Sequence, residues 1–255
     1  MTVDRLILWL VILGVLVVNP RLAWAQQEPV YAVYDGFLTT DDGLYVVAFA
    51  YFSHNFEPVT IPVGPQNTFG PDPVDRRQPT RFLPGHHRFQ CVMVMGAEFA
   101  GDLEWTVGHA GTTSATSRDM LQYNWELEDR SVATALRGVD TTVAPRGVCL
   151  NRPPTIRFLG LRNGPDGAPP EVTTALDGPL KLFGSVRDEG LPREEALRSE
   201  WRVLRGPGPV AFSAADEPRT LASFEMQGEY ELELWAGDGE YEARGRVVVH
   251  VTGAP

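Results

Sequence analysis

The chain has 255 residues, of which 43% are hydrophobic and 22% charged, with 25 glycines and 21 prolines. That apolar content excludes a disordered protein, and that much Gly and Pro excludes long helices; the length suits one large domain or two of about 100 residues. A formal charge of −11 excludes the phosphate-neutralising field of a nucleic-acid binder and disfavours adsorption to anionic lipid.

Residues 6–18 (LILWLVILGVLVV) carry no polar side chain, Asn19-Pro20 ends the run, and Ala23 and Ala25 occupy positions −3 and −1 of a cleavage point. This is the grammar of a secretory signal peptide. The run is shorter than the about 20 apolar residues a membrane span needs, so an uncleaved anchor is the weaker alternative. The expectation is a leader over residues 1–25 and an exported chain over 26–255, periplasmic or secreted, with no span left after cleavage. Removing Asp4, Arg5 and Arg21 makes the formal charge −12. In an oxidising compartment the two cysteines, Cys91 and Cys149, are an even set suited to pairing; two buried thiols are the alternative.

The mature chain divides near Asn151-Arg152-Pro153-Pro154, where the double proline interrupts any strand and stiffens an extended spacer. Strand-length apolar or alternating runs on both sides, separated by turn signals, predict an all-β protein of two β-sandwich domains in tandem, over 26–150 and 151–255. In the first half, strands are expected over 30–38, 44–53, 59–63, 88–95 and 103–107, with a hairpin turn at Asp41-Asp42-Gly43. Residues 64–84 hold five prolines and read as a long loop, either functional or pinned by packing. Residues 111–118 read as a Ser/Thr-rich turn, and 120–136 are ambiguous between strand and helix.

The second half gives eight runs, over 155–159, 171–176, 180–186, 199–204, 210–213, 219–224, 229–236 and 242–251. In its last hairpin Tyr230, Leu232 and Leu234 alternate with Glu229, Glu231 and Glu233, so the apolar set faces a core and the acids face water. A two-residue Asp238-Gly239 turn would set Glu233 opposite Arg244 and Glu231 opposite Arg246.

Residues 153–251 resemble a polycystic-kidney-disease-type (PKD-like) immunoglobulin-fold module. The resemblance is carried by Pro153-Pro154-Thr155, the segment from Val186 to Pro192 (VRDEGLP), Trp201 leading into Arg205-Gly206-Pro207-Gly208, Phe224, Gly228-Glu229-Tyr230-Glu231-Leu232 and the hairpin Ala236-Gly237-Asp238-Gly239. It implies a spacer or interaction surface on an exported protein, with Trp201 filling the sandwich centre and Tyr230 closing a corner beside Gly228. Residues 30–118, around Ile61-Pro62-Val63-Gly64-Pro65-Gln66-Asn67, are similar to the leading segment of uncharacterised exported bacterial proteins, which implies bacterial export and no activity.

Catalytic signals are absent from the sequence: there is no Gly-x-Ser-x-Gly elbow, no His-Glu-x-x-His, no Cys-x-x-Cys and no phosphate-binding glycine motif. His86 and His87 are adjacent on a strand and point to opposite faces, which disfavours a shared metal. Asp188-Glu189 and Asp238 lie on different turns and could supply carboxylates to calcium between loops, although acids that simply form turns explain them too; no other cofactor is expected. Arg76, Arg77, Arg81 and Phe82, in the long loop of an acidic chain, form a candidate ligand-binding patch, the alternative being a loop whose aromatics close the sandwich. The expected function is therefore a non-enzymatic binding protein of the bacterial envelope or exterior, with a protein or glycan partner. A structural subunit of an envelope assembly and, more distantly, a polysaccharide- or peptide-directed hydrolase are the alternatives.

Overall fold

The computed structural model describes residues 27–253, so the leader expected over 1–25 lies outside the described residues. Among the described residues no helix is long and apolar enough to cross a membrane.

Strands β1 (Val30–Thr39), β2 (Tyr45–Ser53) and β6 (Gly85–Met95) make an antiparallel sheet with β2 in the centre. Against one face packs a second sheet of β4 (Asn67–Gly70), β7 (Glu104–His109) and β8 (Thr112–Ala115). A two-strand ribbon, β3 (Val59–Thr60) with β5 (Arg81–Phe82), completes the unit. Val47, Phe49, Tyr51, Cys91 and Met93 meet Phe69, Trp105 and Val107 between the sheets. On the opposite face Val46, Ala48, Val92 and Val94 lie under Leu150 and the helix α1 (Asp129–Ala135). Burial on both faces is why residues 44–53 run apolar without alternation.

Three local readings are corrected here. Residues 111–118 contain strand β8, because Ala110 and Gly111 both take positive φ (52° and 76°) and close a tight hairpin between His109 and Thr112. The long loop contains β4 and β5, and 120–136 resolves into a 3-10 turn (Tyr123–Trp125) and α1. The cysteines pair: Cys91 and Cys149 are disulfide-bonded with Cα atoms 4.7 Å apart and a sequence separation of 58. Cross-linking a loop of that length stabilises by about 4 kcal/mol on the chain-entropy model, and the bond ties the end of the covering segment to β6.

The second unit bears out the eight expected strands: β9 (Thr155–Phe158), β10 (Glu171–Ala175), β11 (Leu180–Arg187), β12 (Arg198–Arg205), β13 (Val210–Phe212), β14 (Arg219–Phe224), β15 (Gly228–Gly237) and β16 (Glu242–Thr252). They form two sheets, β10-β16-β15-β12 and β13-β14-β11-β9, the division of an immunoglobulin-type sandwich. Trp201 is buried on β12 and donates its indole N–H to Pro218 O at 3.2 Å. The Tyr230 hydroxyl donates back to Met226 O at 2.9 Å, which makes the corner that immunoglobulin folds place at the start of this strand. Gly206 is required beside it, since a Cβ there would stand 2.2 Å from the Tyr230 ring.

The last hairpin keeps its expected faces but not its expected register. Asp238 Oδ1 accepts from the backbone N–H of Glu240 and Tyr241 at 2.8 and 2.7 Å, which lengthens the turn beyond two residues. Glu233 consequently faces Arg246 and Glu231 faces Val248. A slip of two preserves inward and outward sides, and Arg246 still reaches Glu231 diagonally at 3.2 Å. Glu233 is also less solvated than its alternation implies: it is buried, with Arg246 Nε 3.7 Å away.

Candidate functional site

Of the residues singled out in the sequence, Arg77 and Glu189 lie where the two units adjoin, and the long loop supplies one wall. Most of that loop is pinned. Asn67 donates to Ile61 O and Pro79 O, both at 2.9 Å, and accepts from the Trp105 indole at 3.0 Å. Gln78, fully buried, donates to Asn67 O and Val74 O at 3.1 Å and accepts the Arg76 N–H at 2.8 Å. The Arg76 guanidinium is buried as well and donates to Gly147 O, Pro71 O and Asp72 O at 2.8–3.1 Å.

The expected basic and aromatic patch therefore does not assemble on the surface. Arg76 and Phe82 are inside, Phe82 with its ring centroid 4.9 Å from that of Tyr51, while Arg77 and Arg81 are exposed. Burying an aromatic beside an uncharged core recovers more free energy than leaving it at a loop tip, and an arginine follows inward when several carbonyls satisfy its donors. Arg77 sits at φ 61°, its N–H held by Asp75 Oδ1 at 2.8 Å. Asn67 and Gln78, which organise the loop, were not anticipated; as ordinary polar residues in a proline-rich stretch they carry no signal of burial.

From the second unit, Arg193 crosses to Asp75 with two bonds of 2.7 and 3.0 Å and donates to Gln78 O at 2.9 Å. That guanidinium holds the Asp75 carboxyl below the usual carboxylate range. Leu191 inserts into the core of the first unit. Deeper in, Arg152 is buried and donates to Thr134 O and Ala135 O at the end of α1, to Phe89 O, and to Glu189 Oε2 at 3.2 Å. Glu189 also accepts the Arg152 backbone N–H. Arg77, Asn151, Leu191, Arg193, Glu194 and Glu240 line a cleft of about 280 Å³ at this junction.

Of the three proposed calcium ligands, Glu189 is withdrawn by this arrangement, because Arg152 occupies both of its oxygens. Asp188 Oδ1 accepts the Gly190 N–H at 2.7 Å and Asp238 Oδ1 caps its own turn. Their Oδ2 atoms, and Oδ1 of Asn151, are buried without a partner. Among the described residues no three His, Cys, Asp or Glu side chains converge as a metal-holding group. Burial, reinforced by the charge of Asp238, pushes Asp188 up to about 6; burial pushes Glu189 up to about 7 despite the nearby guanidinium of Arg152. Both acids bind their protons more tightly folded than unfolded. Their contribution to stability is thus complete below the ordinary values of 3.8 and 4.5 and is lost as pH rises through about 6 and 7.

No family model matches the chain. Similar solved structures include the PKD domain (329–428) from human KIAA0319, 17% identical, covering 40% of this chain and 84% of that one with a TM-score of 0.30. The PKD domain from KIAA 1837 protein is 18% identical over 38% of this chain and 94% of its own, with a TM-score of 0.26. The fibronectin(III)-like modules of Clostridium thermocellum CbhA are 12% identical over 88% and 95%, with a TM-score of 0.28. The strand order and the tyrosine corner identify residues 155–252 as an immunoglobulin-type sandwich independently of these likenesses.

The two adjacent arginines of the loop should behave oppositely. Arg76→Ala, which strands three carbonyl acceptors, is expected to cost about 2–3 kcal/mol in urea denaturation. Arg77→Ala is expected to stay within about 0.5 kcal/mol of the parent.

Proposed function

We propose that this chain is an exported, non-enzymatic interaction protein of the bacterial envelope or exterior, in which two β-sandwich units held in fixed relation present surfaces to a protein or glycan. The observation that carries this reading is the use made of charge at the junction. Arg76, Arg152, Glu189, Arg193 and Asp75 are all engaged in bonds that hold one part of the chain to another, so they are positioned as fasteners rather than as acids, bases or nucleophiles facing a substrate. The disulfide supports an oxidising compartment, and the leader-like composition of residues 1–25 supports export.

The test is to express the whole chain in a bacterium, sequence the N-terminus of the product recovered outside the cytoplasm, and screen it against glycans and envelope fractions. The expected product begins at Gln26, carries no free thiol and binds an envelope component saturably. Cytoplasmic retention with both thiols reduced, or turnover of a polysaccharide or peptide substrate, would contradict the reading.

A second reading, of the same protein with a structural cation, is favoured by the three unpartnered oxygens. Asp188 Oδ2, Asp238 Oδ2 and Asn151 Oδ1 are acceptors with no donor. Two carboxylates and an amide carbonyl are the hard oxygen donors that calcium takes, with water and backbone oxygens to complete six to eight. Titrating calcium into the chelator-treated protein should release or absorb measurable heat and raise the melting temperature. Asp238→Asn should abolish both effects. A melting temperature indifferent to millimolar calcium would remove the cation from the account.

A further inference from the structure

The two exposed sheet faces of the immunoglobulin-type unit differ in how their cations are used. On the sheet β10-β16-β15-β12 the cations are matched with the exception of Arg198: Arg202 pairs with Glu200 at 2.6 Å, Arg244 with Glu242 at 3.0 Å, Arg246 with Glu231 at 3.2 Å, and His250 lies 3.2 Å from Glu171. On the sheet β13-β14-β11-β9 the outward residues of the strands include Arg157, Lys181, Arg187 and Arg219. Among the described residues none of these four makes an ion pair within 4.0 Å. No outward position of the four strands holds a carboxylate; Glu217 and Glu225 lie beyond the ends of β14.

Large apolar side chains stand between those cations. Phe183 is 48% exposed, Leu159 48% and Leu221 39%. Register makes them neighbours: Phe183 lies opposite Arg219, Lys181 lies opposite Leu221, and the Leu159 N–H donates to Phe183 O at 2.8 Å. A sheet face with an apolar centre and a cationic surround, on a chain of formal charge −11, is an unmatched surface.

We propose that this face docks a protein surface whose apolar centre is ringed by carboxylates. Charge complementarity selects that occupant. Four unmatched cations call for acids across the interface, and Phe183 with two leucines supplies the desolvated centre where interface energy concentrates. A second copy meeting face to face through a two-fold axis would set cation against cation, so this face does not close a symmetric dimer. Leu159 and Leu221 offer branched aliphatic groups rather than flat rings, which suits a protein better than a stacked sugar. The proposal rests on the reading of the chain as an interaction protein and specifies the chemistry of one partner.

The probe is a short fluorescent peptide alternating Glu with Leu or Phe, titrated by anisotropy alongside its Lys-for-Glu counterpart, with phosphatidylglycerol vesicles as the lipid arm. The Glu peptide is expected to bind the whole chain, with affinity falling as salt rises, and the Lys peptide to bind at least about tenfold more weakly. Lys181→Glu with Arg219→Glu should weaken the Glu peptide about tenfold or more, and Phe183→Ser comparably. Glu229→Lys, on the opposite sheet, should leave it unchanged. All four positions are exposed, and a melting temperature equal to the parent's certifies the fold of each variant. Equal binding of the two peptides, indifference to Lys181→Glu/Arg219→Glu, or vesicle binding in preference to peptide would overturn the proposal. An envelope component captured equally by the parent and by Lys181→Glu/Arg219→Glu would defeat this face while leaving the interaction reading intact. Capture of no component at all would defeat the reading beneath it.

Discussion

A single guanidinium organises the junction on which the rest of the molecule depends. Arg152 stands in the step between the units, yet it is buried and reaches the last turn of α1, the bend of β6 at Phe89, and Glu189 on the far side. A cation at a helix C-terminus is favoured by the backbone dipole, and here the same cation also answers a carboxylate from the other unit. Such a pair gains little over a well-packed apolar substitute, but losing one partner strands the other charge at about 3–5 kcal/mol. The pair therefore specifies how the units meet more than it adds to their stability.

The surrounding contacts follow from that choice of position. With Glu189 fixed, the segment after it delivers Leu191 into the first core and Arg193 onto Asp75 and Gln78. Gln78 in turn holds Asn67 and Arg76, so the proline-rich loop is secured from its own core and from the neighbouring unit at once. The disulfide acts on the same segment from the other side: it anchors Cys149 three residues before Arg152. The polar residues at the junction thus form two hydrogen-bonded groups, Arg152 with Glu189 and Arg193 with Asp75 and Gln78, and Phe183 with its neighbours Lys181 and Arg219 belongs to neither. Joining and docking are assigned to different surfaces.

The second unit was more legible in sequence than the first because its strands are exposed on one side. Alternation such as Tyr230, Leu232, Leu234 against three glutamates declares both strand and face. In the first unit β2 is buried on both sides and α1 covers it, so neither period nor composition could announce the helix over Asp129–Ala135. Turn chemistry misled in the last hairpin, where Asp-Gly suggested a two-residue turn and the Asp238 side chain instead capped a longer one. The candidate site was legible only as a region. Which arginine of Arg76 and Arg77 turns inward depends on the carbonyls of Pro71, Asp72 and Gly147, and the last of these is 71 residues distant in the chain.

The most direct measurement is urea unfolding of the whole chain, followed in parallel by far-ultraviolet circular dichroism and tryptophan fluorescence, for the parent and for Glu189→Ala. If the buried pair fixes the two units together, the parent unfolds in one transition common to both probes and Glu189→Ala separates it into two. Two transitions already present in the parent, or a single one untouched by the substitution, would contradict the account.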